Sequence, residues 1–102
     1  MEFNISKDGT WVVISVNGPI TFETSDDLQA GFDKVLSEGA KFVRLNLSLV
    51  PVSSSSGISS ILVLYRKLKK RDGILEIKGI SENLFEMFKL LKIDKLIKIS
   101  KE

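Results

Sequence analysis

The chain has 102 residues, 43% hydrophobic and 27% charged, which suits one soluble globular domain over residues 1–102 built on a single core. Cysteine and histidine are both absent, which excludes disulfides, thiolate or imidazole metal sites and a Ser-His-Asp triad; the expectation is a non-enzymatic protein without metal or cofactor. The net charge of +2 is unevenly spread: residues 1–65 carry four Lys/Arg against seven Asp/Glu, residues 66–102 eleven against six.

Met1–Ser6 and Trp11–Val16 read as two strands, joined by a hairpin turn at Lys7-Asp8-Gly9-Thr10 because Asp-Gly accepts positive φ cheaply. Asn17-Gly18-Pro19 then redirects the chain. Thr24-Ser25-Asp26-Asp27 reads as a helix start, with a hydroxyl able to cap backbone N–H groups and two carboxylates at the positive end of the dipole. Leu28, Phe32, Val35 and Leu36 continue it, and Gly39 ends it. Phe42–Leu47 is a strand with Val43, Leu45 and Leu47 on one face.

Val50–Gly57 is a loop that opens a second helix, whose apolar stripe is Ile58, Ile61, Leu62, Tyr65 and Leu68. Cations close this helix at Lys69-Lys70-Arg71, with Gly73 just past them. Ile74–Ile77 is a short strand. Ser81 caps a third helix carrying Leu84, Phe85, Phe88 and Leu91, and Leu96–Ile99 forms a last edge strand. This order predicts an α/β fold: a mixed β-sheet with an N-terminal hairpin, parallel crossovers and helices covering one face. Val12, Ile14, Val43, Leu45, Ile61, Leu62 and Leu75 are expected to be buried.

Four serines, Ser53 to Ser56, stand with Gly57 where a strand has ended and a helix begins. Unpaired N–H groups and the positive dipole end suit a bound phosphate or a phosphorylatable serine there; serines are equally the residues that simply cap helices. A P-loop does not fit, because Ile58 rather than lysine follows Gly57, and no G-x-S-x-G elbow exists. Arg66–Arg71 is the only basic cluster that could meet nucleic acid, and its helix-end position explains it without such a partner. Trp11 and Tyr65 read as packing residues. No apolar run approaches the ~20 residues of a membrane span, so no membrane partner is expected.

Phe42-Val43-Arg44-Leu45-Asn46-Leu47-Ser48, followed by Ser54-Ser55-Ser56-Gly57-Ile58, resembles the signature of the bacterial anti-sigma factor antagonists of the STAS domain family. In that family a strand ending V-x-L-N/D-L leads to D-S-S/A-G-L at the head of a helix. Val16–Thr21 resembles the family's turn after strand two, and Leu84–Ile99 its closing helix and tail. The resemblance implies a STAS-like fold, a cytoplasmic phosphoprotein of transcription regulation, and Ser55 as the phosphorylated residue. It also implies an anti-sigma factor that is a serine kinase as partner, with the antagonist a monomer or weak homodimer. The implied contact surface centres on Pro51–Ile58 and Ile20–Glu23, with Ile20, Thr21, Phe22, Ser53, Ser54, Ser56, Gly57 and Ile58 as partner-binding residues. Two positions depart from the motif: Ser54 replaces its aspartate, and Thr21 replaces the acidic residue after strand two. The second reading is a STAS-type sensor or scaffold module that binds a small molecule or other STAS proteins without phosphorylation.

Overall fold

The chain begins with strands β1 (Glu2–Asp8) and β2 (Trp11–Asn17), antiparallel across a two-residue turn at Gly9-Thr10. The turn is tighter than expected because Lys7 and Asp8 stay in the ladder, opposite Val12 and Trp11. In this computed structural model, which describes residues 1–101, there follow α1 (Ser25–Ser37), β3 (Phe42–Leu49), α2 (Ser55–Lys70) and β4 (Ile74–Ile80). The chain closes with α3 (Glu82–Leu90), a 3-10 turn at Ile93–Lys95 and β5 (Lys98–Ser100). The five strands lie in the order β1-β2-β3-β4-β5, every pair after the first parallel. The expected mixed α/β sheet is present.

One face of the sheet is apolar and covered. Ile14 and Val16 of β2, Val43, Leu45 and Leu47 of β3, and Leu75 and Ile77 of β4 form one cluster with Leu28, Phe32 and Val35 of α1, Ile61, Leu64 and Leu68 of α2, and Leu84 and Phe88 of α3. The intervening strand residues, among them Ser15, Arg44, Asn46, Glu76 and Lys78, are half-buried or exposed, the period-two alternation of a sheet covered on one side. On that open face Trp11 packs against Phe42 in a tilted pair with ring centroids 5.6 Å apart, and the Arg44 guanidinium lies 4.8 Å from the Trp11 ring. Arg44 also donates to Glu76 at 2.6 Å and pairs with Asp8 at 3.4 Å; the hydrogen bond to Glu76 raises its pKa above the ordinary value. Trp11 and Tyr65 are both half-buried packing residues, as expected.

Two expected core residues are corrected. Leu62 is only half-buried, and Leu64 takes the central place beside Ile61 and Leu68. The i, i+3, i+4 stripe left two adjacent helical faces open, and α2 turns the Leu64 side inward where it packs against α1 and β4. Val12 faces the core side but stands at the hairpin end of the sheet, beside an open cleft next to the end of α1, and stays half-buried.

Several ends also shift. β3 runs two residues further than expected, and β4 continues to Ile80 through an irregular register after Leu45. β5 starts only at Lys98, and Leu91 lies exposed just after α3. The left-handed residue closing α2 is Asp72, at φ 57°, and not Gly73. Gly73 is needed for a different reason: a β-carbon there would sit against the Lys41 carbonyl oxygen that accepts the Ile74 N–H.

Candidate functional site

Parallel strands β2, β3 and β4 all end at the same edge of the sheet, so the segments that follow them meet there. The segments after β2 and β3 are zipped together by backbone bonds: Gly18 N–H to Leu49 O at 2.9 Å, Ile20 N–H to Val52 O at 3.0 Å, and Ser54 N–H to Ile20 O at 2.8 Å. Ile20 and Ser53 form an isolated parallel bridge between them. The result is a braced tip from which α2 departs.

Ser54 is the N-cap of α2, with extended backbone at φ −68° and ψ 163°, and its Oγ accepts the Gly57 N–H at 3.2 Å. The helix therefore starts two residues before the expected end of the loop. Gly57 lies inside the first turn, and a β-carbon on it would come within 2.5 Å of both Ile20 Cγ2 and Ser53 Oγ. Only glycine lets the helix sit this close to the bridge.

The serine hydroxyls are not equivalent. Ser25 Oγ donates to Phe22 O at 2.9 Å, and Ser56 Oγ donates to Ser25 Oγ at 3.0 Å. Each hydroxyl has one proton, so the 2.9 Å contact between Ser54 and Ser56 must be donated by Ser54. A directed chain of three hydroxyls thus ties the start of α2 to the start of α1. Ser53 Oγ donates to Ser54 O at 2.9 Å. Ser55 occupies the first position of α2, exposed, and among the described residues its hydroxyl makes no side-chain hydrogen bond.

The start of α1 corrects another expectation. Thr24 has helical dihedrals and makes no side-chain cap bond into the helix. Instead Thr21 N–H donates to Thr24 Oγ1 at 2.8 Å while Thr24 N–H donates to Thr21 Oγ1 at 3.2 Å. This reciprocal pair does the work of a capping box one turn earlier, and it gives Thr21 a structural role at the position where the motif has an acid.

Of the residues expected to meet a partner, Thr21, Phe22 and Ser55 are exposed, and Ser54 and Ser56 are half-buried. Ile20, Ser53, Gly57 and Ile58 are buried and brace the tip from beneath. Phe22 is 80% exposed, and Leu49 and Val52 add two further exposed apolar side chains on the same pair of loops. Sequence reasoning missed Leu49 as a surface residue. The signal was present in the run Leu49-Val50-Pro51-Val52, in which only Val50 is buried. Among the described residues there is no grouping of carboxylates suited to a metal ion. Chemically, the tip offers the Ser55 hydroxyl, unbonded among the described residues, at the positive end of a 16-residue helix, flanked by exposed apolar side chains.

Residues 2–102 match the family model of the STAS domain. An anti-sigma factor antagonist from Mycobacterium paratuberculosis superposes with a TM-score of 0.88 at 20% identity, over 99% of this chain and 86% of that one. SpoIIAA, a Bacillus cell fate determinant solved in its phosphorylated form, gives 0.77 at 18% identity, over 99% and 93%. A sulfate transporter family protein from Wolinella succinogenes gives 0.79 at 22% identity, over 93% and 80%. At these identities the three share the fold.

Proposed function

The chain belongs to the STAS domain family, and on that premise we propose that it is an anti-sigma factor antagonist whose switch is phosphorylation of Ser55. One observation carries the reading: Ser55 is exposed with an unengaged hydroxyl, while its neighbours Ser53, Ser54 and Ser56 are held in hydrogen bonds. The proposed partner is an anti-sigma factor that is also a serine kinase, docking over Phe22, Leu49, Val52 and the start of α2 in the cytoplasm. A phosphate on Ser55 adds about −1.5 to −2 charges on this surface. The helix N-terminus tolerates the charge, so the fold persists, while the partner is repelled and must desolvate the phosphate. The relatives support the reading, since one is named as an anti-sigma factor antagonist and another was solved phosphorylated.

The test uses two variants against an anti-sigma kinase with ATP. Ser55→Ala keeps partner binding and abolishes phosphorylation, and Ser55→Asp weakens binding without lowering thermal stability. Phosphate mapped by mass spectrometry only to Ser54 or Ser56 would sink the assignment. Ser54 in place of the motif aspartate favours the second reading, a sensor or scaffold module, in which no kinase modifies the chain and both variants bind their partner unchanged.

A further inference from the structure

The basic C-terminal third of the sequence is not used by the serine tip. α2 and α3 both start at the tip edge and run back, α3 tied there by the 2.6 Å bond from Ser81 Oγ to Val50 O. Their C-terminal ends therefore lie at the opposite edge, where β4 begins and Lys98 pairs with Glu76. Leu96 and Lys98 share a groove of about 290 Å³ with Tyr65, Lys69 and Ile74, so the cationic end of α2 joins the same surface. Leu96 is 56% exposed there, and Leu90 and Leu91, at the end of α3, are 83% and 55% exposed.

Residues 89–98 contain four lysines and a single acid, Asp94. Lys89 is tied to Glu86 at 3.7 Å, whereas among the described residues Lys92, Lys95 and Lys98 make no ion pair. Lys92 holds φ 60°, a left-handed conformation that glycine or asparagine adopts more easily, so a cation stands where the backbone would favour a smaller residue. Exposed leucines interleaved along residues 90–96 with unpaired lysines fit a surface that is apolar below and negative above, because each kind of side chain then finds its complement.

We propose that this end of the molecule, Leu90, Leu91 and Leu96 with Lys92 and Lys95, docks peripherally on an anionic lipid surface. No helix among the described residues is long and apolar enough to cross a membrane, and docking of this kind requires none. The leucines enter the headgroup boundary while the lysines meet lipid phosphates. The serine tip, at the other edge, stays free for a protein partner, and the inference does not depend on how Ser55 is read. A peptide partner would lie along the groove beside Leu96, which leaves Leu90, the most exposed leucine, outside the contact.

The test is co-sedimentation of the full chain with phosphatidylcholine vesicles, with and without about 30% phosphatidylglycerol, near 0.1 M salt. The chain is expected to sediment with the anionic vesicles only, and to be released as salt rises. Lys92→Glu with Lys95→Glu is expected to weaken binding roughly 30-fold or more. Leu90→Ser, a change at an exposed position that leaves the melt unaltered, weakens it roughly tenfold. Equal binding to neutral vesicles, or none to either, overturns the proposal. So does an unchanged Leu90→Ser variant, which would mean simple adhesion of a basic surface. Capture by an acidic, leucine-containing peptide without vesicle binding reassigns the surface to a protein partner and overturns it as well.

Discussion

A β-carbon at position 57 would collide with Ile20 and Ser53, both buried and both fixed by the bridge between the two loops. Two effects compete in Gly57→Ala. Alanine gains about 1 kcal/mol of helix propensity over glycine, whereas overpacking a fixed site costs about 1–3 kcal/mol. Both contacts fall at 2.5 Å, on side chains packed beneath a tip whose backbone is braced by the bonds from Ile20 N–H to Val52 O and from Ser54 N–H to Ile20 O, so overpacking outweighs the propensity gain. Gly57→Ala is expected to lower stability by up to about 2 kcal/mol in denaturant melts, and a stabilised variant would show that the loop yields. The same tip explains why, of the four serines, only the Ser55 hydroxyl is without a hydrogen bond among the described residues: its neighbours are engaged by capping, by the Ser54 carbonyl and by the chain to Ser25.

At the scale of elements, α2 is the helix whose orientation matters most, because it carries the serines at one end and the basic cluster at the other. Its buried face passes through Ile58, Ile61, Leu64 and Leu68. Leu64→Ala is therefore expected to cost about 2–5 kcal/mol, the range for emptying a core leucine, and Leu62→Ala clearly less. Lys70→Ala, at an exposed position, should stay within about 0.5 kcal/mol of the parent. Urea melts of the three variants check the ranking; Leu62 ranking above Leu64 would mean that the helix is turned by one residue. α1 depends on the Thr21–Thr24 pair in a similar way, since that pair fixes the loop carrying Phe22.

Across the whole molecule, the parallel strands set two working edges about one sheet length apart. Glu23, Asp26 and Asp27 lie around the serine tip, while Lys69, Lys70, Arg71, Lys92, Lys95 and Lys98 gather at the far edge. This polarity orients the chain near a negative surface with its tip outward, because the opposing charges turn it in the field. If the two surfaces are separate, substitutions add independently. Ser55→Asp is expected to leave vesicle binding unchanged, and Leu90→Ser to leave the rate of kinase phosphorylation unchanged. Loss of phosphorylation in Leu90→Ser would show that the far edge also touches the partner.

The order of strands and helices was legible in the sequence because it depends on local signals: period-two runs in β2 and β3, helical spacing in α1 and α2, Asp-Gly at the hairpin and Ser81 at a cap. The lack of histidine and cysteine set the available chemistry without any structure. The serine cluster was visible too, and the family resemblance singled out Ser55, but residue type alone left its members alike. Ser53 and Ser54 are engaged by local bonds, but Ser56 is engaged by Ser25, 31 residues away, and no local pattern reports a bond of that span. The same holds for Leu64 over Leu62, for the close approach at Gly57, and for the groove that Lys69 and Lys98 both line. Each depends on which residues distant in sequence are pressed together, and that is decided only when the helices pack onto the sheet.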